Sequence, residues 1–140
     1  GVQKAIGALT GHPDPWTRLQ LMQHFGVSGK DLLDWGTLLD AKELTVRAAA
    51  LDFWVDQPAT KAITKHETRL VRLLEDPHFG IKRLAALVLA RVGTKAAVPA
   101  LSKLRKHPAC PLRNVAGEAL AKLQGKTFSK VRCRFELHGL

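Results

Sequence analysis

The sequence predicts an all-α fold: an α-solenoid of about four helix pairs with a short C-terminal β-strand. Three observations carry this reading. A Pro turn, an aliphatic residue, a base and an Ala-rich apolar run recur along the chain. The bases of the successive copies fall at Arg18, Arg47, Lys82 and Arg113, spaced 29, 35 and 31 residues apart. Spacings of that size mark stacked helix pairs, none of which buries its apolar face alone. The third observation is a change of period near the end, where residues 130–138, opening on Lys130 and closing on His138, alternate polar and apolar without a fault.

The clearest copies are Glu75-Asp76-Pro77-His78-Phe79-Gly80-Ile81-Lys82-Arg83-Leu84-Ala85-Ala86 and Lys106-His107-Pro108-Ala109-Cys110-Pro111-Leu112-Arg113-Asn114-Val115-Ala116. Val46-Arg47-Ala48-Ala49-Ala50-Leu51 repeats the register, and His12-Pro13-Asp14-Pro15-Trp16-Thr17-Arg18-Leu19 repeats it weakly. First helices are expected at residues 2–10, 30–39, 59–74 and 95–105. Second helices are expected at 15–25, 43–55, 79–92 and 112–123. Pro13, Pro77 and Pro108 stop a first helix or open a second. Gly26, Gly93 and Gly125 follow second helices, where a left-handed residue commonly ends the turn. Residues 84–90 are apolar nearly all the way round, so that helix needs cover on several sides. The recurrent alanines Ala48, Ala49, Ala85, Ala86, Ala116 and Ala119 suit close helix approach and read as packing residues. The helical repeat domain is expected over 1–125, with a basic amphipathic strand or tail over 126–140.

In that tail, period 2 places Val131, Cys133, Phe135 and Leu137 on one face of a strand. A lone strand needs a partner. Three arrangements are open: packing on the last helix, which is favoured, the start of a further domain, or strand pairing with another chain through Lys130 to His138. Gly125-Lys126-Thr127 lacks the upstream glycine of a phosphate loop.

The chain has 140 residues, an apolar fraction of 46% and a net charge of +10. That is one domain with enough apolar content to fold. No apolar run is long enough to span a bilayer, so no membrane partner is expected. Residues 1–11 do not carry the basic-then-apolar pattern of a secretory leader. Cys110 and Cys133 belong to no Cys-x-x-Cys pair, and both read as free thiols in a reducing compartment. The expected location is therefore intracellular: cytoplasmic, with the nucleus as the alternative. The charge is unevenly placed. Residues 1–58 hold 5 Lys/Arg and 7 Asp/Glu, whereas residues 59–140 hold 17 and 5, a balance of +12. That asymmetry predicts an anionic partner facing the second half.

Catalytic chemistry finds little support. His12, His24, His66, His78, His107 and His138 form no His pair at i, i+4 around a carboxylate, and His12, His78 and His107 read as solvated turn residues. Ser28, Ser102 and Ser129 lack a nucleophile elbow. Cys110 lies between prolines without a recognisable His partner. No cofactor and no metal are expected.

The order Asp-Pro, aliphatic-Arg, Ala-Ala, Gly turn, and then Ala96-Ala97-Val98-Pro99-Ala100-Leu101 resembles the HEAT-repeat superfamily, and most closely the short HEAT-like repeats of the phycobilisome-lyase type. The resemblance is strongest over residues 75–125. It implies a HEAT-like solenoid and leaves function open, since such solenoids include scaffolds, chromophore lyases, a diiron hydroxylase and DNA glycosylases. It also implies a structural ladder of Asp76 with Arg47, Lys82 and Arg113; Thr17 and Lys82 depart from the repeat pattern. His66-Glu67 resembles one His-Glu pair of the hydroxylase, which needs several, and reads as a charged surface pair. The glycosylase resemblance would use Trp16, Trp35 or Trp54 with Asp52 or Asp56. Those tryptophans sit in the acidic half, which repels phosphate, and read as core.

Binding is the remaining reading. The stripes Arg83–Leu87–Arg91 and Asn114–Glu118–Lys122 lie at i, i+4 on second helices, and Lys103, Arg105 and Lys106 end the first helix between them. With Lys82 and Arg113 they form the expected partner surface: Lys82, Arg83, Arg91, Lys103, Arg105, Lys106, Arg113 and Lys122. The expected function is a non-enzymatic protein–protein interaction or scaffold module. Its partner is an acidic protein segment or another subunit of an assembly. A nucleic acid is the alternative partner, and a repeat-based enzyme comes third.

Overall fold

The computed structural model describes residues 34–133 together with 16, 17, 19 and 20. Among the described residues the regular structure is entirely helical. The elements are α1 (Trp35–Leu39), α2 (Leu44–Val55), α3 (Lys61–Thr64), α4 (Glu67–Leu73), α5 (Phe79–Val92), a 3₁₀ turn (Lys95–Ala97), α6 (Val98–Leu104) and α7 (Cys110–Leu123). Residues 16, 17, 19 and 20 are helical, in line with the helix expected over 15–25. The helix expected at 2–10, Gly26 and the side chain of Arg18 lie outside the described residues.

Each short helix packs on the longer one that follows: α1 on α2, α4 on α5, and α6 on α7. The longer helices form a row in which α5 touches both α2 and α7. That arrangement covers the all-round apolar helix foreseen for residues 84–90. Ile81, Ala85, Ala86, Val88, Leu89 and Val92 are all buried. Ala85, Ala86, Ala116 and Ala119 are fully buried. Their small side chains let the long helices approach closely, so Leu89 and Leu112 are buried as well. Each such Leu contributes about 1.5–3 kcal/mol from area removed from water. Asp76 is the buried charged residue of this core.

Local chemistry sets the boundaries. Asp34 caps α1 by accepting from the Thr37 amide at 3.1 Å and the Thr37 hydroxyl at 2.7 Å. The single helix expected over 59–74 is instead two, α3 and α4, parted at Lys65–His66. At Gly36 in α1 a Cβ would lie 3.1 Å from Arg69 Cζ and 3.2 Å from His66 Cε1. Its bare backbone seats both side chains at the start of α4. Pro99 falls in the first turn of α6, where its missing N–H costs nothing, and the 3₁₀ turn precedes it. Pro111 likewise sits in the first turn of α7, which begins at Cys110 rather than at residue 112.

Two helix ends differ in kind. Gly125 has φ +67° and closes α7 with the Lys126 N–H donating to Ala121 O at 2.7 Å, a Schellman-type reversal. Gly93 is not left-handed, contrary to expectation; its φ is −73°. Glycine is required there because a Cβ would sit 2.5 Å from the Leu89 carbonyl oxygen.

Candidate functional site

Arg47, Lys82 and Arg113 each occupy the fourth position of their helix, α2, α5 and α7. From that position Arg47 and Arg113 both reach the turn that precedes their helix. Arg47 donates from Nη1 to the carbonyls of Ala41 (2.9 Å) and Lys42 (2.7 Å), six and five residues back. Arg113 repeats this at the same offsets, to His107 O (3.0 Å) and Pro108 O (2.6 Å). Arg47 also pairs with Asp76 of the next turn at 3.0 Å, the two side chains being 12% and 7% exposed. Asp76 in turn accepts from the His78 N–H at 2.9 Å. His107, the counterpart of Asp76, accepts from the Ala109 N–H through Nδ1 at 3.0 Å. It is half-buried and holds its turn, so it is not the solvated histidine expected. The ladder is therefore formed at Arg47–Asp76, while Lys82 has no carboxylate among the described residues and Arg113 bonds carbonyls of its own turn.

The reversal at Gly125 lays the chain back along α7. Phe128 packs over Gly117, where a Cβ would fall within 2.6 Å of its ring, and the Arg105 guanidinium stacks 5.0 Å from the ring centroid. Lys130 lies 3.4 Å from Glu118. The Asn114 amide donates to Val131 O at 2.7 Å and accepts from Val131 N at 3.0 Å, as a strand neighbour would. Cys133 is joined to Cys110 by a disulfide. The expectation of two free thiols is thus overturned. The close approach arises because the returning chain brings residue 133 to the start of α7. Cysteine chemistry then no longer argues for a reducing compartment. The described part of the tail packs on the last helix without a strand ladder; residues 134–138 lie outside the described residues.

This strap changes the expected surface. Asn114 and Glu118, read as an open stripe, are occupied by the chain itself. Arg105 is stacked on Phe128, Arg113 is bonded to its own turn, Arg91 donates to Val55 O, and Lys103 pairs with Glu75 at 2.9 Å. Lys82, Arg83, Lys106 and Lys122 make no ion pair or side-chain hydrogen bond among the described residues; Arg83, Lys106 and Lys122 are exposed and Lys82 is half-buried. Lys82, Lys103 and His107 line one cleft of about 270 Å³ with Leu74, Glu75 and Leu104.

Trp35 and Trp54 are each 1% exposed and pack with Phe53, the Trp35–Phe53 and Trp35–Trp54 centroids lying 5.0 and 5.1 Å apart. Both are core, and Asp52 and Asp56 lie exposed outside it. His66 is half-buried: its Nδ1 lies 3.1 Å from Arg69 Nη1, and Arg69 Nε donates to Asp40 at 2.8 Å. Burial, then the positive charges of Arg69 and Lys65, lowers its pKa from the ordinary 6.5, against Asp34 and Asp40, which raise it. Glu67 accepts from the Thr94 N–H (2.9 Å) and hydroxyl (2.6 Å), joining α4 to the loop before α6. His12, His24 and His138 lie outside the described residues. Among the described residues no three His, Cys, Asp or Glu side chains converge as a metal site, and no helix is long and apolar enough to cross a membrane.

The sequence reading missed Phe128, Gly117 and the disulfide. One signal was available: a glycine inside the Ala-rich run of α7 marks close approach of another group. Comparison of the chain with family models, with curated proteins and with solved structures gives no match.

Proposed function

We propose that the chain is a HEAT-like solenoid that works as a non-enzymatic interaction module, its basic second half binding an acidic protein partner. The observation that carries this is the commitment of the acids. Glu67, Glu75, Asp76 and Glu118, the carboxylates among described residues 59–133, each bond a group of the chain itself. The positive excess of that half is therefore left for an external anion. Phe79, 46% exposed, lies one turn before Lys82 and Arg83 and supplies an apolar anchor beside the charge. An acidic protein segment uses both features, charge for steering and the ring for contact that salt does not screen. Burial of Trp35 and Trp54 removes two aromatic faces on which bases would stack.

The test is a titration of a fluorescein-labelled oligoglutamate peptide and of a short DNA duplex at low and moderate salt. A Lys82→Glu/Arg83→Glu/Lys106→Glu variant runs beside the wild type. Peptide binding that persists at moderate salt and disappears in the variant supports the reading. Duplex binding that dominates and falls steeply with salt favours nucleic acid instead. Absence of both at low salt contradicts a charge-driven interface.

A further inference from the structure

We infer that the cleft between Lys82, Lys103 and His107 is a carboxylate-binding site that receives one Asp or Glu side chain of the partner. The inference deepens the proposed function and rests on it. It follows from comparing two equivalent positions in successive helix pairs. Arg47 and Lys82 are both fourth in their long helix, and Asp76 and His107 both stand six residues before the next such base. Asp76 and His107 hold their turns alike, each accepting the N–H two residues on, at 2.9 and 3.0 Å. In the first interval the base meets a carboxylate, Arg47 to Asp76, at 3.0 Å. In the second, the place of the carboxylate is taken by an imidazole and Lys82 is left without one. Lys82 and His107 nevertheless line the same cleft, which has a volume of about 270 Å³.

The chemistry of the cleft suits an incoming carboxylate. With Nδ1 accepting an N–H, the neutral His107 ring carries its proton on Nε2 and is a donor there. Lys82 is a point charge with three donors and no backbone carbonyl bonded to it, unlike Arg47 and Arg113. Lys103, paired with Glu75 at 2.9 Å, lies at the rim of the cleft, the two side chains being 78% and 65% exposed. A bound carboxylate would complete the missing rung between the α5 and α7 turns. Charge-assisted bonds to the half-buried Lys82 and His107 are stronger than the surface pairs elsewhere on the chain.

The experiment measures binding of the oligoglutamate peptide by fluorescence anisotropy to the full chain and three variants. His107→Asp supplies the missing carboxylate from within, lowers the net charge by one and keeps the acceptor for the Ala109 N–H. Lys82→Met removes the central charge, and Lys61→Gln removes one exposed charge on α3, outside the cleft. The expected result is a loss of about tenfold in affinity for His107→Asp and Lys82→Met, with Lys61→Gln within about twofold of wild type. His107→Asp is also expected to raise the urea midpoint, which shows that the variant folds and that the rung has closed. Equal, small losses in all three variants would overturn the site and leave the basic-surface reading standing. No peptide binding to the wild type at low salt would overturn both.

Discussion

The Arg47 guanidinium lies 3.0 Å from the Asp76 carboxylate, and the pair fastens α2 to the turn that opens α5. Both side chains are nearly buried, so each charge depends on the other. Arg47→Met leaves Asp76 buried with one N–H donor from His78. A loss of about 3 kcal/mol in unfolding free energy by urea denaturation is expected. Adding Asp76→Leu to the same chain should restore much of it, since no lone charge then remains.

The sign of a glycine-to-alanine change should differ along one helix. At Gly80, in the first turn of α5, a Cβ meets nothing within 4 Å. Gly80→Ala should stabilise by roughly 0.5–1 kcal/mol by restricting the unfolded chain. At Gly93 the Cβ meets the Leu89 carbonyl at 2.5 Å, which is backbone and cannot swing away. Gly93→Ala should destabilise by about 1–3 kcal/mol. Thermal melts of the two variants beside wild type decide it.

The strap along α7 is held by a covalent closure of sequence separation 23. Replacing both cysteines by serine should lower stability by roughly 3 kcal/mol, mainly by freeing the unfolded chain. Alkylation of the native chain followed by mass spectrometry should show no modified cysteine before reduction and two after it. Gly117→Val should displace Phe128 and Arg105 and make the segment after residue 125 a target for limited proteolysis.

His66 gives a pH dependence whose direction is fixed. Its folded pKa is lowered by burial and by Arg69. The neutral ring is the folded form, and the unfolded chain takes up the proton first as pH falls. The stabilisation is present above the unfolded value near 6.5 and is lost as pH falls through the lowered folded value. Urea midpoints of wild type should fall between about pH 7.5 and 5.5, and His66→Gln should flatten that fall.

The helix most legible in the sequence is α5, whose bounds, Phe79–Val92, coincide with the reading. Its apolar run is continuous and Pro77 and Gly93 punctuate it on both sides, so local pattern and tertiary demand agree. The region 59–74 was less legible because it contains no Pro or Gly, so nothing local marks the break at Lys65–His66. The basic surface was legible as charge and not as availability. Nothing in the spacing of Arg105 and Arg113 tells that one stacks on Phe128 and the other bonds its own turn. The disulfide was missed for a similar reason: residue 133 meets residue 110 only once Gly125 reverses the chain.

The central claim, that the second half is a binding surface for an acidic partner, is tested most directly by amide chemical-shift mapping of the isotope-labelled chain with the oligoglutamate peptide. Saturable shifts clustered at Phe79, Lys82, Arg83, Lys103, Lys106 and His107 are expected. Shifts confined to residues 1–58, or none at low salt, would contradict it.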